Sequence, residues 1–371
     1  MLRPPVMPRR LLMTCDAIGG VWRYAIDIAR TLEANGTEVL LVGCGPPPSS
    51  GQHDDASGLR VAWLDHPPAW LATDPGELDG LGAALARLQT GFGAELMHLN
   101  LPAEAAGLDV EVPVVVAAHS CLATWWQAVR RGPPPRAWGW KIARDREGFA
   151  RADAMIAPSA AHAAAMAAAH PGVDVVRVVP NAAAAPPAPA AKLPFVMGAA
   201  RWWDEGKNLA AIDAAARTTA WPIILCGAVS GPDGTHVRIR NAIARGPCPA
   251  AEVHGLMRHA AIFASPSLYE PFGLAPLEAA HAGAALVLAD IATYRELWDG
   301  AALFVAPHDH AGLAAALDAV ATDADRRGAL AHAAMARART FTTGRQLDAL
   351  AAAYAAAVVS YARHPLPAAA E

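Results

Sequence analysis

Ser265–Glu278 reads Ser-Pro-Ser-Leu-Tyr-Glu-Pro-Phe-Gly-Leu-Ala-Pro-Leu-Glu. It follows a short apolar run, Ala260 to Ala264, and opens a segment with helical character. Two carboxylates, Glu270 and Glu278, flank the turn Phe272-Gly273-Leu274. Such a turn aims backbone N–H groups outward, and a helix starting just after it adds positive dipole character. An anion fits between those amides while a sugar hydroxyl reaches a carboxylate. The same residues also suit a plain surface turn ahead of an amphipathic helix, so the rest of the chain decides between the two.

Two further segments favour an anion. Arg10 to Thr14 is a strand-like run followed by Asp16-Ala17-Ile18-Gly19-Gly20. A helical pattern then begins, with Val21, Tyr24, Ala25, Ile28, Ala29 and Leu32 on one face. Strand, glycine turn and helix is a phosphate-cradling order, although neither the full dinucleotide fingerprint nor a P-loop is present. Phe195 to Met197 reads as a second strand, followed by a loop with Arg201 and Lys207 and a helix capped by Asn208. Arginine binds two phosphate oxygens at once and lysine acts as a mobile point charge, so the pair suits a diphosphate clamp. A solvated basic loop balanced by Asp204 and Glu205 is the plainer alternative. Trp202 and Trp203 read as packing or lid residues beside it.

The chain has 371 residues, enough for two domains of about 150–190 residues each. Much of its apolar content, 54%, is alanine, and mean hydropathy is only +0.22. No run of bulky apolar residues is long enough to span a bilayer. The first ten residues carry no apolar signal core, so secretion is not expected. Five cysteines lack ligand spacing and read as free buried thiols of a reducing compartment. The 14 histidines are scattered, without a zinc-binding pattern, and no metal site is predicted. A net charge of −4 argues against nucleic acid as a partner. One region departs from this balance. Arg130, Arg131, Arg136, Lys141, Arg144, Arg146 and Arg151 interleave with Trp125, Trp126, Trp138 and Trp140. That pattern fits a membrane surface or a polyanionic acceptor, and equally a solvated helical hairpin with its tryptophans in the core.

Strand and helix patterns alternate along the chain, which predicts parallel sheets covered on both faces. Strands are expected at 11–14, 38–42, 60–64, 95–99, 113–118, 154–157 and 175–179, with helices such as 22–35, 77–90 and 160–170 between them. Residues 186–194, rich in Pro and Ala, read as a linker. A second α/β series follows, with strands at 195–197, 222–226, 242–245, 261–264, 285–288 and 303–305, and a long helix over 346–362 ends the pattern. Ligands of such sheets bind beyond the carboxyl ends of the strands.

The chain resembles the retaining glycosyltransferases of the large bacterial family 4. Glu270-Pro-Phe-Gly-Leu-x-x-x-Glu278 resembles that family's paired-glutamate motif, and Gly198 to Lys207 its diphosphate clamp. Gly19-Gly20 looks like its N-terminal glycine loop, His119 matches its cleft histidine, and residues 285–309 also resemble it. There are departures. Pro180-Asn181-Ala182 stands where the family usually has Pro-Asn-Gly, and Ala200 rather than glycine precedes Arg201. An alanine at 182 implies a turn without positive φ, or a strained one.

The resemblance implies an α/β fold of the GT-B type: two Rossmann-like parallel-sheet domains facing across a cleft, with the C-terminal helix returning to the N-terminal domain. It implies an acceptor-side domain over 1–185, a nucleotide-sugar domain over 186–345, and a helix and tail over 346–371. It also implies metal-independent transfer of a sugar from a nucleoside diphosphate to a hydroxyl of a saccharide, lipid-linked saccharide or other small acceptor, with retention. The donor is a substrate, and no cofactor is expected. Arg201 and Lys207 would meet the leaving diphosphate, helped by amides near Gly19, Gly20, Phe272, Gly273 and Leu274. Glu270 would hold donor-sugar hydroxyls, Glu278 the ribose, and His119 the donor sugar. Asp16 and Tyr24 are candidates for the acceptor side, and Arg295 with Glu296 for a surface pair. The expected location is cytoplasmic, with peripheral contact on the inner membrane face through 125–151. A sugar-nucleotide epimerase, a phosphorylase and a non-catalytic nucleotide-sugar binder are the alternatives.

Overall fold

A computed structural model describes residues 7–173, 175–183 and 190–363. The chain divides into two compact units, the first built from 1–127, 131–180 and 344–371 and the second from 128–130 and 181–343.

The first unit carries strands β1 (Arg10–Asp16), β2 (Glu38–Cys44), β3 (Arg60–Leu64), β4 (Leu96–Leu99), β5 (Val114–Ala117), β6 (Ala154–Ala157) and β7 (Val176–Val178). Their order in the sheet is β3-β2-β1-β4-β5-β6-β7, and every pairing is parallel. The near-continuous apolar runs of the central strands follow from this, because a parallel sheet with helices on both faces buries both sides of those strands. Helices α1 (Gly20–Ala34), α2 (Ser50–Asp55), α3 (Leu81–Phe92), α4 (Leu122–Val129), α5 (Gly139–Arg151) and α6 (Ala160–Ala169) complete the series. Strand order reverses between β1 and β4, so the loops after these two strands diverge and leave a crevice.

The second unit has β8 (Leu193–Ala199), β9 (Ile223–Cys226), β10 (Ile243–Gly246), β11 (Ala260–Ser265), β12 (Ala285–Ala289) and β13 (Leu303–Val305), in the order β10-β9-β8-β11-β12-β13. These too pair in parallel. Helices α7 (Leu209–Ala215), α8 (Ala250–His259), α9 (Leu274–His281), α10 (Ala292–Trp298), α11 (His310–Thr322) and α12 (Ala324–Ala338) cover it. Here the reversal falls between β8 and β11. The connection from β9 to β10 has no helix: Val229, Val237 and Ile239 from an irregular segment pack on the sheet instead. The buried Asp213 carboxylate holds that segment by accepting the backbone N–H groups of Arg240, Asn241 and Ala242 at 2.9–3.1 Å.

The last helix, α13 (Thr343–Arg363), belongs to the first unit from Gly344 onward. Leu350, Ala353, Tyr354 and Ala357 enter the core formed by β1 and α1. Each large apolar side chain buried there contributes about 1.5–3 kcal/mol. The Tyr354 hydroxyl also meets His98 Nδ1 at 2.8 Å.

Three sequence expectations change. Residues 186–189 of the expected linker lie outside the described residues, but Leu193 and Pro194 already belong to β8. Pairing of β8 with β9 begins only at Val196, and the β11 ladder is irregular at that level, so the missing Pro194 N–H costs no ladder bond. The expected helix over 77–90 is a 3₁₀ turn, Pro75–Leu78, and then α3, broken where Gly80 adopts φ 78°. Among the described residues only Asn208 is a non-glycine with positive φ, so Ala182 sits in an unstrained turn.

Candidate active site

In the second unit, two loops leave the carboxyl ends of β8 and β11 on either side of the strand reversal. Asp204 shapes the first by accepting the Gly206 N–H at 2.9 Å, and a 3₁₀ turn then carries Glu205 to Lys207. Asn208 follows in the left-handed conformation, φ 56°, at a cost of about 1–2 kcal/mol. Its side chain does not cap α7 as the sequence suggested. It donates instead to the carbonyls of Pro266 at 2.9 Å and Pro307 at 2.8 Å. These bonds tie the β8 loop to the ends of β11 and β13. The Leu268 N–H donates to Gly206 O at 2.8 Å and completes the tie.

The result is a contact between two residues singled out separately in the sequence: Lys207 Nζ donates to Glu270 Oε2 at 2.7 Å, both side chains less than a fifth exposed. Arg201 stands nearby, 3.5 Å from Asp204 and with its guanidinium 5.6 Å from the Trp203 ring centroid. Trp202, by contrast, is buried, with its indole N–H on Cys226 O at 2.9 Å.

Gly273 begins α9 with φ 94°, and a Cβ there would come within 3.0 Å of Tyr294. The side chain of Phe272 is core, edge-on to Phe341 at 5.5 Å, so only its backbone remains to meet a ligand. Leu274 and Ala275, in the first turn of α9, have N–H groups without intrahelical acceptors. Glu270 lies in the loop before the helix and Glu278 is its fifth residue, so only the second glutamate is helical. Glu278 is half-buried, 3.7 Å from His254. Arg295 pairs with Asp290 through two bonds of 2.6 and 2.7 Å and with Asp299 at 3.5 Å, rather than with Glu296, because Asp290 sits at the exit of β12 facing it.

In the first unit, β1 ends at Asp16, whose Oδ1 accepts the Ile18 N–H at 2.8 Å. Gly19, at φ 152°, then turns the chain into α1, and Gly20 is its exposed first residue. His119 lies two residues beyond β5 and is half-buried. Its Nε2 is 2.9 Å from Asn100 Oδ1, and the Tyr24 ring stands edge-on to it at 4.3 Å. Burial, with His98 and His162 close by, pushes the imidazole down to about 3. His119 is therefore neutral near pH 7, a hydrogen-bonding group rather than a cation for phosphate. Tyr24 is itself buried, so it supports His119 more than it lines a surface.

Sequence reasoning missed the residues beneath His119. Asn100 N donates to Thr14 Oγ1 at 2.7 Å, and that hydroxyl donates to Glu104 Oε2 at 2.5 Å. Burial raises the Glu104 carboxyl to about 8. A polar residue ending the apolar run Leu96–Leu99 was the available signal for Asn100.

The basic, tryptophan-rich region forms α4 and α5. Trp126 and Trp138 meet edge-on at 5.1 Å and are half-buried, while Arg131 and Arg136 are exposed. The indoles are thus neither fully core nor free. Of the five cysteines, all reduced, Cys248 is only half-buried. Among the described residues no three His, Cys, Asp or Glu side chains are placed to hold a metal ion, and no helix is long and apolar enough to cross a membrane.

Comparison with known proteins speaks to the family and the fold. The family described as Glycosyltransferase Family 4 matches residues 18–184, and that described as Glycosyl transferases group 1 matches 240–337. No curated protein sequence matches the chain. Sucrose-phosphate synthase from Thermosynechococcus elongatus is similar in structure, with a TM-score of 0.73 and 16% identity over 92% of this chain and 96% of its own. Anabaena HepE in complex with UDP and glucose has a TM-score of 0.71 and 20% identity, covering 90% and 95%. WaaG, a glycosyltransferase involved in lipopolysaccharide biosynthesis, has a TM-score of 0.66 and 15% identity, covering 92% and 98%. The two parallel-sheet units are those of the GT-B fold.

Proposed function

This chain belongs to the family 4 type of glycosyltransferases, and we propose that it transfers a sugar from a nucleoside diphosphate to a hydroxyl of a saccharide or lipid-linked saccharide, with retention and without a metal. The observation that carries this reading is the Lys207–Glu270 contact at the β8–β11 reversal, beside the first turn of α9. During transfer, negative charge grows on the leaving diphosphate and positive charge on the anomeric carbon. Lys207, Arg201 and the N–H groups of Leu274 and Ala275 are preorganised donors for the first charge. These cations and amides do the neutralising that a divalent ion would otherwise do, which is why the reading is metal-independent. Glu270, held by Lys207, offers its other oxygen to donor-sugar hydroxyls. Glu278, one turn further along α9, suits the ribose hydroxyls.

The first unit contributes Gly19 and Gly20 as a backbone turn for anionic oxygens, and His119 as a neutral partner for a sugar hydroxyl. Trp126 and Trp138 with Arg131 and Arg136 suit an amphiphilic or anionic acceptor. A lipid-linked acceptor implies action in the cytoplasm, on the inner face of the membrane. HepE was solved with UDP and with UDP-glucose, so uridine diphosphate sugars are the first donors to try. The test is a thermal-shift panel of nucleoside diphosphates and their sugars, followed by NMR of the product anomer formed with an acceptor extract. Selective stabilisation by one donor class and an anomer matching the donor support the reading. Stabilisation by none, or an inverted anomer, counts against it.

A further inference from the structure

The bonds beneath His119 determine more than its place. Asn100 is buried, and its two amide ends are committed to different partners. One end is 2.5 Å from the Thr14 carbonyl, which only accepts, so that end is the NH₂. The other end, Oδ1, then faces His119 Nε2 at 2.9 Å and accepts from it. The proton of a neutral imidazole consequently sits on Nε2, and Nδ1 keeps its lone pair. His119 Nδ1 makes no hydrogen bond among the described residues.

The amide cannot easily flip. A flip would set Oδ1 against the Thr14 carbonyl, two acceptors at 2.5 Å. The backbone N–H of Asn100 is held as well, on Thr14 Oγ1 at 2.7 Å. That hydroxyl has spent its proton on Glu104 Oε2, so it can only accept from Asn100. Glu104 is in turn held by the Leu101 N–H at 3.1 Å. Every link in the series Glu104, Thr14, Asn100, His119 therefore has one donor and one acceptor. The Thr14 carbonyl sets the orientation of the Asn100 amide, and the Asn100 backbone N–H sets that of the Thr14 hydroxyl. The Tyr24 ring at 4.3 Å restricts rotation of the imidazole from the side.

We propose that Asn100 is a positioning residue that holds His119 in the Nε2–H tautomer, so that Nδ1 is presented to substrate as an acceptor for a hydroxyl. This rests on the reading of His119 as a substrate-binding group. It adds which of the two nitrogens does the binding, and with what polarity. A group that can only accept at that position is then a poor match, whereas a sugar hydroxyl donates to Nδ1 without rearrangement.

The test uses the full chain labelled with ¹⁵N-histidine. Two-bond NMR correlations report the tautomer of each imidazole, and the His119→Gln spectrum identifies the His119 signals. The expected result is Nε2–H in the unsubstituted protein and a tautomer mixture in Asn100→Ala. In kinetics, Asn100→Ala should lower kcat by about 10-fold with a smaller change in donor KM, the size expected for losing one oriented hydrogen bond. An Nδ1–H signature in the unsubstituted protein overturns the proposal, and it does so even if Asn100→Ala fails to fold. Unchanged kcat in a variant whose tautomer has shifted overturns it too. Full activity of His119→Gln would instead remove the substrate-binding role of His119, while the tautomer result stands separately.

Discussion

Lys207 and Glu270, 63 residues apart in the chain, meet at 2.7 Å where strand order reverses between β8 and β11. The lysine neutralises the carboxylate it orients, and its two other ammonium protons remain to be given to a ligand. Neither residue acts alone. Removing the lysine leaves a half-buried carboxylate without its partner and, in the proposed reaction, facing the donor diphosphate.

Lys207→Ala and Arg201→Ala should each reduce kcat/KM by about 100-fold or more, since each removes a donor aimed at developing phosphate charge. Lys207→Ala should lower thermal stability more than Arg201→Ala, because Lys207 is the more buried of the two and its partner is left unpaired. Steady-state kinetics and melting curves of both variants decide this, and near-normal kcat/KM in both rejects the clamp.

Activity should survive excess chelator. The charge of the diphosphate is met by Arg201, Lys207 and the first turn of α9 in the proposed reaction. Loss of turnover in EDTA, restored by Mg²⁺ or Mn²⁺, would show that a divalent ion carries that charge.

Stability should fall as pH drops below about 6.5, the ordinary histidine value. Burial lowers His98 and His119 to about 3 and His162 and His170 to about 4. In the window between those values and 6.5 the unfolded chain binds protons that the folded chain refuses, so acidification favours unfolding. Burial raises Glu104 to about 8 and Asp145 to about 7, which acts in the opposite sense. Their contribution is fully present at acid pH and is lost as pH rises through those values. Four histidines outweigh two carboxyls below 6.5, so the melting temperature should decline from pH 6.5 to pH 4.5. A flat profile over that range would contradict the burial of these rings.

Arg131→Ser with Arg136→Ser should weaken association with anionic liposomes, or raise the acceptor KM, while leaving donor binding unchanged. Both side chains are exposed beside half-buried indoles. The effect should shrink with added salt as screening takes over. Identical liposome and acceptor behaviour in the double variant and the unsubstituted protein would return this region to a simple helical hairpin.

Much of this molecule is written in short-range pattern. Apolar runs of strand length alternating with helical periodicity determined two parallel α/β units, and the Phe272-Gly273-Leu274 turn with its flanking glutamates marked the candidate site. Arg201, Lys207 and His119 were legible as candidates because each lies in a loop that leaves the carboxyl end of a strand. The pairings were not. Thr14 reaches Glu104 across 90 residues and Tyr354 reaches His98 across 256. Asn208 looked like a helix cap until two distant carbonyls, of Pro266 and Pro307, claimed its side chain. The irregular crossover over 227–242 depends on Asp213, on another element. Sequence periodicity reports which face of an element is apolar, because that is set by neighbours a few residues away. Which polar groups meet, which way their protons point and how far burial shifts their charge depend on strand order and register, and those exist only once the sheets are assembled.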